Sequence, residues 1–352
     1  MKKINLVSIV VLCIILLAGC AGEPNQEVNI IPQPQSVAVE DGGFKLSPKT
    51  VINVVQGAED LTPACTFLST LTEKSFGTPL KIEKGAAKSN AVNITVDPSM
   101  KADAYELTVS ENAIHIQGGS SKAVFYAMQS LRQMMPVGIE KGEKMNKIRI
   151  QNVRIQDEPR LGYRGTMLDV CRHFFTVDEV KTFIDMLALH KLSVFHWHLT
   201  DDQGWRIEIK KYPELTRIGS QRKQTVIGKN TGKYDGKPYG PYFFTQEEIK
   251  DVIQYAADRY ITIIPEIELP GHALAALATY PELGCTGGPY EVCQMWGVFP
   301  EVFCPGNEKT FEFWEGVLTE VAELFPSDII HIGGDECPRD EWKKCKKCQA
   351  RM

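Results

Sequence analysis

From residue 166 onward the chain repeats one pattern, a short apolar run followed by an amphipathic helix. Thr166-Met167-Leu168-Asp169-Val170 is the first run. Thr176-Val177-Asp178-Glu179 follows, a Thr with Glu three residues on, the spacing at which two side chains satisfy the free N–H groups that open a helix. Val180, Phe183, Ile184 and Leu187 then share one face. Residues 193–199 form the second run. Thr245-Gln246-Glu247-Glu248 repeats the capping signal ahead of Ile249, Val252, Ile253 and Ala256. Residues 261–267 form the third run. A stripe of Trp314, Val317, Leu318 and Val321 precedes the fourth run, residues 328–332. Strands apolar along their length, alternating with helices, predict a parallel α/β sheet covered on both faces. Loops of tens of residues after the second and third strands fit a barrel enzyme whose site is built on βα loops.

The preceding part reads differently. Val51–Val55, Ala91–Val96, Tyr105–Val109 and Ala113–Ile116 alternate like strands, and Ser121–Met135 carries Ala123, Tyr126, Ala127, Leu131, Met134 and Met135 at helical spacing. The expectation is a small α+β domain over residues 30–150, in which a charged, glycine-containing stretch from Gly138 to Lys147 either ends the domain or forms a long hairpin loop. It shows no chemistry, and His115 reads as structural or surface.

The N-terminus is a secretory signal. Lys2 and Lys3 precede an apolar run from Leu6 to Leu17 that is too short for a comfortable membrane span. Leu17-Ala18-Gly19-Cys20 resembles a bacterial lipobox. That implies a signal peptide over residues 1–20, a lipidated Cys20 and a tether over 21–29, so that the protein is anchored to a membrane rather than spanning it. Ala21, in place of Asp, favours the outer membrane. The net charge of −5 over 352 residues, with no basic–aromatic run, gives no reason to expect nucleic acid. The ten cysteines are scattered rather than framed.

Polar clusters follow every apolar run, which packing does not require. They are Asp169-Val170-Cys171-Arg172-His173, then His196-Trp197-His198-Leu199-Thr200-Asp201-Asp202-Gln203-Gly204-Trp205-Arg206, then Pro265-Glu266-Ile267-Glu268-Leu269-Pro270-Gly271-His272, and finally His331-Ile332-Gly333-Gly334-Asp335-Glu336. In this order they resemble the blocks of family 20 glycoside hydrolases, the β-N-acetylhexosaminidases. The resemblance implies a small α+β accessory domain followed by a (β/α)8 TIM-type barrel, no cofactor, and a glycan ending in β-linked N-acetylhexosamine as substrate. In that family the substrate's own 2-acetamido oxygen attacks the anomeric carbon. By resemblance, Glu336 is the general acid and then the base, and Asp335 orients the acetamido group. Arg172 holds sugar hydroxyls, and Glu266 and Glu268 support the site. Asp201 and His272 stand behind the acid; the residues alone do not choose between Asp201 and Asp202, and the alignment of the block selects Asp201. His331 reads as structural.

Two features compete with that picture. His196 and His198 point the same way on a strand, so a metal-dependent hydrolase using them with Asp201 is an alternative, although the expectation is no metal. Cys345-Lys346-Lys347-Cys348 is one CxxC without a second pair, a weak zinc or redox signal. A disulfide is open to it or to Cys285, Cys293 and Cys304, and neither pairing nor oligomeric state is readable. Four strands are visible where a closed barrel has eight, so residues 155–352 correspond to the first half of the barrel. The aromatic walls, the tyrosine and the outer acids of the family pocket have no counterpart in the sequence. A truncated, non-catalytic glycan-binding or remnant lipoprotein is therefore the alternative function.

Overall fold

The computed structural model describes residues 27–56, 60–229 and 231–352. The signal segment, Cys20 and residues 21–26 of the tether lie outside the described residues. The chain divides into two compact units, up to Gly162 and from Tyr163 onward.

The first unit is a seven-stranded mixed sheet in the order β1-β7-β5-β6-β4-β2-β3. Its strands are β1 (Ser36–Leu46), β2 (Val51–Gln56), β3 (Lys81–Lys84), β4 (Ala91–Val96), β5 (Tyr105–Val109), β6 (Ala113–Gly118) and β7 (Ile148–Asp157). The helix Ser121–Gln133 lies on this sheet and buries Ala123, Val124, Ala127, Met128 and Leu131. Its Ser120 side chain accepts from the N–H of Ala123 at 3.2 Å, the N-cap that apolar spacing alone does not show. A second helix, Thr62–Phe76, packs on the first, with Phe67 and Phe125 ring centroids 5.1 Å apart. Strand β7 pairs with both β1 and β5, which carries this unit past residue 150.

The second unit holds a three-stranded parallel sheet in the order β12-β9-β8. β8 is Gly165–Asp169, β9 is Val194–His198 and β12 is Thr262–Glu266. A two-residue hairpin, β10 (Thr200–Asp201) with β11 (Gly204–Trp205), follows β9 directly. Helices Val177–Leu189, Gln246–Ala257 and Glu308–Leu324 alternate with the strands. Both capping boxes form as the sequence predicts, at Thr176 with Glu179 and at Thr245 with Glu248. Among the described residues no helix is long and apolar enough to cross a membrane.

The fourth strand differs from expectation. Residues 328–332 run beside β12, with His331 N–H donating to Pro265 O at 2.9 Å and Ile267 N–H to His331 O at 3.0 Å. Among the described residues, the only ladder pairing of this run is the single bridge between Glu266 and His331. Ile329 and Ile332 are 56% and 49% exposed, so this run is not the buried strand its apolar residues suggest. Among the described residues it is paired along the β12 side only, and a strand needs neighbours on both sides and faces to bury such residues.

Candidate active site

Parallel register sets the ends of three strands side by side. Asp169 pairs with His198, and His198 with Glu266. The last residue of each strand is therefore polar and sits on the C-terminal rim, where α/β barrels place their chemistry. His198 Nδ1 lies 2.7 Å from Glu266 Oε2, and its Nε2 lies 2.8 Å from Asp201 Oδ2. The other contacts of Glu266 are His196 Nε2 at 2.6 Å and His331 Nδ1 at 2.8 Å.

His198, Asp201 and Glu266 are buried, and their charges are set by one another. Burial alone would lower the His198 pKa, but Asp201 and Glu266 outweigh it and raise it to about 10. Burial would raise the Asp201 carboxyl, yet His198, His272 and Arg172 hold it at about 2. Glu266 is likewise held below its ordinary range by His196 and His198 against its own burial. For Glu268 the compensation, from His198 at 4.0 Å, is too weak. Burial first, then the negative Glu266, push it up to about 8, and its Oε2 has no hydrogen-bond partner. The two carboxyls are thus pushed apart, Glu266 toward its ionised form and Glu268 toward its protonated form.

Arg172 extends the network toward solvent. Its Nη2 lies 2.8 Å from Asp201 Oδ2, its Nη1 2.8 Å from Asp169 Oδ2, and its Nε donates to Gln203 at 2.9 Å. Two further arginines fix the loops around it through backbone carbonyls, which a lysine could not do in the same fork geometry. Arg206 is fully buried and donates to the carbonyls of Cys171, Ser220 and Tyr242. Arg222 donates to the carbonyls of Arg172 and Gln203 and lies 3.9 Å above the Tyr239 ring.

His272 joins this interior to the exposed acids. Its Nδ1 lies 3.0 Å from Asp202 Oδ2 and 3.4 Å from Asp201 Oδ1. Its Nε2 lies 3.6 Å from both Asp335 Oδ2 and Glu336 Oε2. Asp201 and Asp202 raise His272 to about 11 despite its burial, so it is an imidazolium at neutral pH. The loop that brings the acids here runs left-handed at Gly333 (φ +65°), Gly334 (φ +94°) and Glu336 (φ +45°). A side chain at Gly333 would strike the Glu268 carboxylate, its Cβ falling 1.7 Å from Oε2, so glycine is required there. The side chains of Asp335 and Glu336 remain 63% and 58% exposed.

All the residues singled out from the sequence, Arg172, Asp201, Glu266, Glu268, His272, Asp335 and Glu336, therefore come together on one rim. One pairing shifts. The sequence reading set Asp201 behind His272, whereas Asp202 makes the shorter bond and Asp201 is shared with His198 and Arg172. Burial and the neighbouring Asp201 raise the Asp202 carboxyl, against the pull of His272. The alternative of His196, His198 and Asp201 around one metal is divided by the fold. His198 hydrogen-bonds Asp201 directly, while His196 joins Glu266 and His331. Asp169 and Gln203 are site residues left unassigned from the sequence, and Asp202 is the alternative that was set aside for Asp201. Their signal was position, at a strand end or beside Asp201.

A parallel α/β unit whose strand ends gather paired carboxylates, histidines and an arginine has the make-up of an acid–base enzyme site. The family follows from comparison. The model of the glycosyl hydrolase family 20 catalytic domain matches residues 161–352, and that of domain 2 of the same family matches residues 27–158. The chain belongs to glycosyl hydrolase family 20. A β-hexosaminidase of Porphyromonas gingivalis is 44% identical over 352 residues, covering 97% of this chain and 44% of the relative. One of Vibrio furnissii is 37% identical over 329 residues, covering 92% and 51%. Among solved structures, the family 20 exo-β-N-acetylglucosaminidase of Vibrio harveyi in complex with N-acetylglucosamine aligns with a TM-score of 0.78 at 36% identity, over 94% of this chain and 51% of that one. The chain spans about half the length of these relatives.

Proposed function

We propose that this chain carries the acid side of a β-N-acetylhexosaminidase site, which removes terminal β-linked N-acetylglucosamine or N-acetylgalactosamine from the non-reducing ends of glycans. Glu336 protonates the glycosidic oxygen as the bond to the anomeric carbon breaks. The acetamido oxygen of the same sugar forms the new bond to that carbon, giving an oxazolinium ion whose N–H faces Asp335. Glu336 then takes a proton from the water that opens the ring, and β configuration is retained. The observation that carries this reading is His272, held by Asp201 and Asp202 on one side and 3.6 Å from both Asp335 and Glu336 on the other. An imidazolium there ties the orientation of the two acids to the buried aspartates. Two of the five N–H groups of Arg172 are not engaged by the three side-chain contacts described above and can serve sugar hydroxyls.

The test is release of nitrophenol from an aryl β-N-acetylglucosaminide and from the matching β-glucoside. Glu336→Gln should lower turnover on the first by about 10²–10⁴-fold, and the glucoside should be a very poor substrate for the parent chain. Unchanged turnover in the variant, or equal rates on the two sugars, would contradict the assignment.

From the residues up to Cys20 we also infer export and lipid anchoring at Cys20 in the outer membrane. Cys20→Ala should move the protein from the membrane to the soluble fraction, and an unchanged distribution would contradict the anchor.

A further inference from the structure

Four cysteines far apart in sequence meet on the second unit. Cys285 follows the short helical turn Pro281–Leu283. Cys304 ends the long loop that leads into helix Glu308–Leu324, and Cys345 and Cys348 form the CxxC near the C-terminal end. Their sulfurs all lie within 4.8 Å of one another. Cys285 and Cys348 are 3.7 Å apart, Cys304 and Cys345 3.7 Å, and Cys304 and Cys348 3.5 Å. A zinc–sulfur bond of about 2.3 Å sets the sulfur–sulfur edge of a tetrahedron at about 3.8 Å, so three of the six edges already have nearly that length.

The backbone around the sulfurs suits thiolates. The N–H groups of Lys347 and Cys348 bond the Cys345 sulfur, and that of Gly306 bonds the Cys304 sulfur. Each of the two segments therefore turns an amide two residues on back toward its cysteine, a bond that a negative sulfur accepts far better than a neutral one. The segments are brought together by protein contacts as well. Trp342 Nε1 donates to the Phe303 carbonyl at 2.9 Å, and Arg351 Nη1 to the Pro305 carbonyl at 2.7 Å. Gly306 permits the approach, since a Cβ there would fall 2.3 Å from Cys348 N. Four sulfurs this close can all ionise only with a cation among them.

We infer that Cys285, Cys304, Cys345 and Cys348 bind one structural zinc ion. The ion closes the coordination sphere with protein ligands alone and so is not a catalytic centre. It clamps the loop after β12 to the segment that follows Asp335 and Glu336, and in doing so steadies the exit of the acid-bearing loop. Binding releases the remaining thiol protons and involves no oxidation. The inference is independent of the glycosidase reading.

The experiment uses the full chain purified without chelator or added metal. Zinc is measured by elemental mass spectrometry, and thiols by alkylation in denaturant without reductant, followed by intact mass. One zinc per chain is expected, with the four cysteines alkylated once denaturant and chelator release it. Zinc should be absent from the Cys345→Ser/Cys348→Ser double variant and retained in Cys293→Ser, whose buried sulfur instead contacts the Met295 carbonyl. Should the double variant fail to fold, cobalt added to the metal-stripped parent decides, since tetrahedral thiolate ligation gives a sulfur-to-cobalt charge-transfer band. A metal-free chain with these cysteines resistant to alkylation would mean two disulfides and overturn the site. So would a folded chain with four free thiols that takes up neither zinc nor cobalt, or zinc that persists in the double variant.

Discussion

Asp201 and Glu336 both face His272, from opposite sides, and they are built into the molecule in opposite ways. The Asp201 side chain has no exposed surface and is fixed by His198, Arg172 and His272. The Glu336 side chain is 58% exposed, and its contact with His272 is long. The interior group is determined by the sheet, because register puts Asp169, His198 and Glu266 in line and a buried charge must be paired. The rim pair is determined by a left-handed turn at two glycines. The interior is therefore structure that also orients chemistry, while the rim is chemistry that contributes little to structure.

That contrast can be broken at either end. The largest effect is expected for Asp201→Ala, which leaves His198, Arg172 and His272 short of an anion. Removing one partner of a buried ion network costs about 3–5 kcal/mol, read as a fall in the denaturant midpoint. A loss below about 1 kcal/mol would mean that the interior pairs are replaceable by water. Next is Glu268→Gln. The pKa of Glu268 is raised in the fold, so folding favours its protonated form. The penalty is absent below its ordinary value near 4.5, grows as pH rises, and levels off above about 8. The variant should be near parity with the parent at about pH 4.5 and more stable at about pH 8.5, in paired denaturant titrations. A variant equally affected at both pH values would remove the titration argument. The smallest effect is Asp335→Asn, which should change stability by less than about 0.5 kcal/mol while abolishing most turnover on the N-acetylglucosaminide. A large loss of stability would place Asp335 with the interior after all.

The α/β alternation, both capping boxes and the rim residues were legible because each rests on local spacing or on a block of polar residues at a strand end. What escaped was set by pairing across long distances. Strand β1 is almost wholly exposed along its first half, so no alternation marks it. Strand β7 does alternate at Ile148, Ile150, Val153 and Ile155, yet it follows a charged stretch that looked like a domain end. Helix Thr62–Phe76 buries small and polar residues such as Ser69, Thr72 and Ser75, which dilute its apolar stripe, although Pro63 at its start and Gly77 at its end were usable signals. The choice between Asp201 and Asp202 depends on which oxygen reaches His272, and the meeting of Cys285 and Cys304 with the CxxC depends on the loop after β12. Neither has a local spacing to betray it.

The central claim is that His272 stands as a cation between the buried aspartates and the exposed acids. Its protonation can be followed directly by nitrogen-15 NMR of histidine-labelled protein, with the His272 signal assigned by its loss in His272→Gln. Both ring nitrogens should stay protonated through neutral pH and titrate only toward about 11. Because the folded value is raised, the stability that this pairing contributes is fully present below the ordinary histidine value of about 6.5 and is lost as pH rises through that higher range. Titration of His272 near 6.5 would show that the aspartates do not hold it, and the link from the buried network to Glu336 would fail.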